Sequence, residues 1–236
     1  MADAIDLLRE QLREHADDQT KASLQRFFKE EVRLYGVRSA DVGKISKRVY
    51  KIVESKPKTE IFDLCEQLWQ SGMMEEAFVA NNWAYSLRKQ FEPDDFPIFE
   101  RWVNLYVDNW AACDGLCTGT IGAFLVRYPV FVENLKQWCG SPNRWVRRAA
   151  AVSLINPAHD GQFKAEIFEI ANRLLLDPDD MVQKGYGWML KSLADPYEDE
   201  VYSFILDHRA TMPRTALRYA IEKMPVEKKR EAMKKI

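Results

Sequence analysis

Apolar residues return at intervals of three and four along nearly the whole chain, as in Phe163, Ile167, Ile170, Ala171 and Leu174, and strict alternation is almost absent. That spacing is the signature of one buried helix face repeated from segment to segment. Pro57, Pro93, Pro129, Pro142, Pro157, Pro178, Pro196, Pro213 and Pro225 read as falling between such segments. Several stand beside Asp, Ser or Asn, the residues that open helices. The pattern predicts about a dozen helices of two to four turns joined by short connectors. No Gly/Ser-rich linker interrupts them, so residues 1–236 read as one domain. Met-Ala-Asp-Ala-Ile-Asp at the start reads as the opening of a charged amphipathic helix and lacks the apolar core of a signal peptide.

A repeat lies under the periodicity. Pro142-Asn-Arg-Trp-Val-Arg-Arg-Ala-Ala aligns with Pro178-Asp-Asp-Met-Val-Gln-Lys-Gly-Tyr, matching Val146 to Val182 and Arg148 to Lys184, and Pro213-Arg-Thr-Ala-Leu-Arg-Tyr-Ala follows at nearly the same distance. A period of about 36 residues is that of HEAT-like helix pairs. The predicted fold is therefore an all-α, HEAT-like-repeat α-solenoid with a concave groove. Equivalent repeat positions share one surface of a solenoid. One period before Arg148 falls near Ala112, so Trp110, Asp114, Arg148, Lys184 and Trp188 are expected to line a common groove. Trp110 and Asp114 share a helix face, as do Lys184 and Trp188. Gly185 and Gly187 each cost about 1 kcal/mol inside a helix relative to Ala. Their presence predicts that another backbone approaches beside Trp188.

The length suffices for a sizeable core. A net charge of −2 argues against a histone-like or polybasic protein. Charge is nonetheless segregated. Residues 33–58 are basic and include Lys44, Lys47 and Arg48, residues 60–101 are mainly acidic, and the last third is basic again. The helix of Lys44, Lys47 and Arg48 is either a phosphate clamp or an ordinary solvated face. The four cysteines form no C-x-x-C pair and the three histidines are scattered, so no metal site is expected. Free thiols fit a reducing cytoplasm. No apolar run approaches the length of a bilayer span, and a soluble cytoplasmic protein is expected.

With these segments in view, the chain resembles the AlkD-type DNA alkylation repair family of HEAT-like-repeat DNA glycosylases. The resemblance is carried in order by Leu34-Tyr-Gly-Val37, Asn109-Trp-Ala-Ala-Cys-Asp114, Trp145-Val-Arg-Arg-Ala-Ala150, Gln183-Lys-Gly-Tyr-Gly-Trp188 and Arg214-Thr-Ala-Leu-Arg-Tyr-Ala220. It implies removal of N3- and N7-alkylated purines from duplex DNA. It places the catalytic carboxylate on Asp114, the site tryptophans on Trp110 and Trp188, and a phosphate-contacting arginine on Arg148; Arg147 and Lys184 are further candidates for backbone phosphate, read from the residues themselves. The resemblance also implies that the base need not be flipped into a pocket. Nothing in the sequence demands more than a monomer, no cofactor is expected, and DNA binding would associate the protein with the nucleoid. Two positions depart from the family pattern: Phe27 stands where better-known members carry tyrosine, and Ala111 where some relatives carry an acid.

The chemistry suits that residue set. A purine alkylated at N3 or N7 is already cationic and leaves without a general acid, so one carboxylate suffices where ordinary glycosidases use two. Positive charge builds on the deoxyribose, where Asp114 can offset it and hold the attacking water. Indole faces attract cations. Taken singly, each residue has an ordinary alternative. Trp110 and Trp188 are packing residues on that view, Asp114 caps a helix or pairs with Arg148, and Arg147 and Arg148 form a solvated repeat face. Trp69, Trp83, Trp102, Trp138 and Trp145 are assigned to packing. Two other functions compete with the enzyme: a DNA-binding relative without excision, and a HEAT-type protein-interaction scaffold.

Overall fold

The computed structural model describes residues 4–234. Met1, Ala2 and Asp3, part of the expected first helix, lie outside the described residues. Among the described residues every regular element is helical, as the periodicity predicts. Contacts divide the chain into two compact units, Met1–Leu116 and Cys117–Ile236.

The first unit contains α1 (Ala4–Glu14), α2 (Asp18–Gln25), α3 (Ser39–Val53), α4 (Lys58–Gln70), α5 (Met74–Ser86), α6 (Phe96–Leu105) and α7 (Trp110–Gly115). α4 packs on α5, and α3 on both α1 and α5. α3 shows how the helical period sorts residues. Val42, Ile45, Val49 and Val53 turn inward, while Lys44, Lys47, Arg48 and Lys51 are exposed. Burial of the four apolar side chains is worth roughly 1.5–3 kcal/mol each.

The irregular chain between α2 and α3 is held by acids from α5. The Glu75 carboxylate accepts the N–H groups of Tyr35, Gly36 and Val37 at 3.1, 2.9 and 3.2 Å. Glu76 accepts the Tyr35 hydroxyl at 2.6 Å and pairs with Arg9 at 3.0 Å. Burial, and after it the bond to Glu76, pushes the Tyr35 phenol up to about 12. Gly36 stands at φ +95°, where a Cβ would lie 2.5 Å from the Asp17 carbonyl oxygen, so only glycine fits. Glu75, Glu76 and Asp95 are all buried, so much of the acidity of residues 60–101 is internal and not a charged face.

Glu66, on α4, accepts hydrogen bonds from Arg101, from the Trp102 indole at 3.1 Å and from the Tyr106 hydroxyl at 2.9 Å. The Arg101 bond in particular holds its carboxyl below the ordinary value of 4.5. A depressed folded value stabilises the fold above the unfolded value, and that contribution is lost as pH falls through the folded one. Thermal melting followed from pH 7 downward is therefore expected to begin its decline near pH 4.5. The decline should be shallower in Glu66→Gln, and an unchanged slope would show that this cluster does not contribute.

The second unit contains α8 (Gly122–Arg127), α9 (Val132–Trp138), α10 (Arg144–Val152), α11 (Ile155–His159), α12 (Lys164–Arg173), α13 (Asp180–His208), α14 (Arg214–Ala220) and α15 (Val226–Ala232). The repeat is visible in its packing. Asn143 caps α10 through the Trp145 N–H at 2.9 Å, and Asp179 caps α13 through the Met181 N–H at 2.8 Å. Val146 and Val182 are both buried. α13 is the hub, packing against α10, α11, α12 and α14.

One proline contradicts the expectation that prolines separate helices, because Pro157 lies within the first turn of α11. At Pro196 the missing N–H and the ring clash divide α13 into two helical stretches that meet at a kink. Tyr197 absorbs the bend at φ −135°, ψ 52°, and its hydroxyl donates to the Gly161 carbonyl at 3.3 Å.

The glycines of α13 have separate reasons. At Gly187 a Cβ would lie 2.7 Å from both the Ala216 carbonyl oxygen and the Tyr219 Cβ, so the approaching backbone belongs to α14. At Gly185 the neighbour is a side chain, Arg148, whose Cγ would lie 3.3 Å from a Cβ. Trp69, Trp83, Trp102, Trp138 and Trp145 are all buried, as assigned, and the four cysteines are buried thiols.

Candidate functional site

In the first unit the candidate site is built on α7. Asn109 caps this short helix, its side chain accepting the Ala112 N–H at 2.9 Å. The cap sets Trp110 as the first helical residue and Asp114 one turn later. Ala111, Ala112 and Cys113 are buried, whereas Trp110 and Asp114 are partly exposed. Trp110 is fixed twice. Its ring stacks on Phe28, with centroids 5.3 Å apart and planes 21° apart, and its indole N–H donates to the Phe27 carbonyl at 3.3 Å. Phe28 and Trp110 pack against a small apolar cluster of Val32, Leu34, Met74 and Ala111.

The Phe27 ring is 69% exposed, so Phe27 serves Trp110 through its backbone and leaves its ring to solvent. Phe28 is the site residue that sequence reasoning missed. The available signal was a pair of adjacent aromatics following a polar helix. Lys44, Lys47 and Arg48 lie on a different helix, α3, all exposed. Lys44 pairs with Asp41 at 2.8 Å, and Arg48 donates to the Gln11 side chain at 2.6 Å.

In the second unit the candidate residues gather on α10 and the first turns of α13. Arg148 is only 4% exposed, so it does not belong to a solvated face. Its guanidinium donates to the Met181 carbonyl, and its stem lies against Gly185. Arg147 turns the other way, pairing with the buried Asp177 at 2.6 Å and donating to the carbonyls of Ser141 and Pro142 at 2.9 and 3.2 Å. Lys184 pairs with Asp180 at 3.1 Å. Trp188, one turn beyond Lys184, is partly exposed. Arg148, Lys184 and Trp188 therefore share one helix pair, and Arg147 leaves it for Asp177. Among the described residues no group of three or more His, Cys, Asp or Glu could hold a metal ion, and no helix is long and apolar enough to cross a membrane.

Helix pairs stacked in this way are already represented among solved structures. The fold matches the "Predicted DNA alkylation repair enzyme from Enterococcus faecalis" with a TM-score of 0.80 at 16% identity, over 90% of this chain and 98% of that one. At that identity the likeness establishes the fold. The sequence adds the family: residues 8–224 match the model of the DNA alkylation repair enzyme family, and the chain belongs to it. No curated protein matches the chain.

Proposed function

We propose that this protein is a DNA glycosylase that hydrolyses the N-glycosidic bond of cationic N3- or N7-alkylated purines, such as 3-methyladenine and 7-methylguanine, in duplex DNA. Its place would be the first step of base excision repair. The observation that carries the proposal is α7, where a partly exposed carboxylate, Asp114, follows one turn after an indole held by a stacked ring and a hydrogen bond, in a chain of the DNA alkylation repair family. Breaking the C1′–N bond sends the bonding electrons to the cationic purine, which departs neutral. The deoxyribose is left with oxocarbenium character, which Asp114 offsets electrostatically. Water adds at C1′ and gives up its proton to the Asp114 carboxylate or to solvent. Trp110 and Trp188 favour the cationic nucleotide through their ring faces.

Arg148, with Arg147, Lys184, Lys44, Lys47, Arg48 and Phe27, serves DNA binding on this proposal, the cations through backbone phosphate and without sequence preference. The protein acts as a monomeric, single-domain cytoplasmic enzyme without cofactor. The deciding experiment is incubation of the purified protein with methylated duplex DNA and detection of the released base. Release of 3-methyladenine or 7-methylguanine supports the proposal. Salt-sensitive duplex binding without release supports a DNA-binding relative instead.

Because Arg148 is buried, Arg148→Ala is expected to do two things. Loss of the bond to Met181 costs about 1–3 kcal/mol of stability, and duplex affinity falls for all sequences alike, with a smaller dependence on salt. Arg148→Lys keeps the charge and separates the two effects. Wild-type affinity and salt slope in a folded Arg148→Ala protein would argue against any phosphate role.

A further inference from the structure

Asn81 is a polar side chain in a position that suits an apolar one. It lies on α5, is 6% exposed, and neither its amide oxygen nor its amide nitrogen has a hydrogen-bond partner among the described residues. A buried unpaired amide forfeits the hydration of both dipoles. A leucine, which has the same branched shape, would leave no polar atom unpaired there, and residues that break a local rule in this way concentrate at functional sites.

What Asn81 touches is Gly115, the residue after Asp114. A Cβ at position 115 would lie 2.6 Å from the Asn81 Nδ2 and 3.6 Å from its Cγ. Only a residue without a side chain lets the amide come so close to the α7 backbone, so Asn81 and Gly115 fit as a pair. The nitrogen side of the amide faces the α7 backbone at Gly115, at the point where the helix runs on into its next segment. α5 packs directly on α7. Just past the contact the helix widens into the π-helical segment Leu116–Ile121, a form frequent at functional sites.

We propose that Asn81 is a positioning residue for Asp114: its amide bears on the last turn of α7 at Gly115 and fixes the direction of the carboxylate one residue earlier, which rests on the glycosylase function proposed above. Asn81 touches neither base nor sugar on this account. Its close approach to Gly115 holds the turn, and its polarity is retained at the expense of stability.

The test compares wild type, Asn81→Leu and Gly115→Ala in melting temperature, duplex affinity and single-turnover release of 7-methylguanine. Asn81→Leu is expected to melt at or above the wild-type temperature and to keep its affinity within about twofold, yet to release base roughly ten to a hundred times more slowly, as a displaced catalytic group does. Gly115→Ala, which adds a helix-favouring Cβ while pushing the amide away, is expected to show the same split and serves as the readout if Asn81→Leu does not fold. Wild-type release rates in both variants would overturn the positioning role. So would rate and melting temperature falling together in both, since that marks a structural role only. A wild-type protein that releases no base from methylated DNA overturns the glycosylase function, and the positioning role with it.

Discussion

Asp114→Asn is expected to lower single-turnover release of 7-methylguanine by about 10²–10³-fold, or roughly 3–4 kcal/mol of transition-state stabilisation. The substitution keeps the shape of the side chain and removes only its charge, and the Asn109 cap and the buried alanines of α7 remain in place. Folding and duplex affinity should therefore survive, with affinity unchanged or slightly raised because a negative group beside phosphate has gone. A neutral amide cannot offset the sugar's developing positive charge, and it is a poor acceptor for the proton of the attacking water. Release measured at saturating enzyme, with binding measured separately, checks both halves. Base release at the wild-type rate would remove Asp114 from the mechanism.

The largest expected loss of stability belongs to Glu75→Ala. Three backbone N–H groups at residues 35–37 donate to this one buried carboxylate, and bonds to charged groups are worth about 1.5–3 kcal/mol each. They share one acceptor and do not add fully, so the expected cost is about 4 kcal/mol, with a fall in melting temperature on the order of 10 °C. Glu75→Gln retains an acceptor of the same reach and should lose roughly half as much. The loop cannot find a substitute easily, because Gly36 holds its turn at φ +95° against Asp17. A loss below about 1 kcal/mol on chemical denaturation would show that other contacts hold the loop.

The helices were legible because their signal is local. A period near 3.6 written into Phe163, Ile167, Ile170 and Leu174 leaves few alternatives, and the Pro142 and Pro178 repeats carry their own caps in Asn143 and Asp179. The family followed from ordered segments, and the five packing indoles from amphipathic spacing. What escaped depends on partners far away in the chain. Glu75 and Glu76 look like members of an acidic run, and only the loop 40 residues earlier makes them interior anchors. Arg148 looks like a surface cation of a repeat, and it is buried because Gly185 opens a slot for its stem. Phe27 and Phe28 are indistinguishable in sequence. Which ring meets Trp110 is decided by how the chain turns after α2. Pro196 stands where its local signal says break, at the kink where Tyr197 leaves helical φ and ψ and α13 divides into two stretches.

The burial of the indoles makes the protein its own optical probe. Of seven tryptophans, five are sealed in the interior and only Trp110 and Trp188 reach solvent. Acrylamide should accordingly quench a small red-shifted fraction of the emission and spare a large blue-shifted one. Duplex DNA carrying an alkylated base should shield that accessible fraction selectively, and Trp110→Phe and Trp188→Phe would each remove its own share, so that lesion contact could be followed in real time without a label.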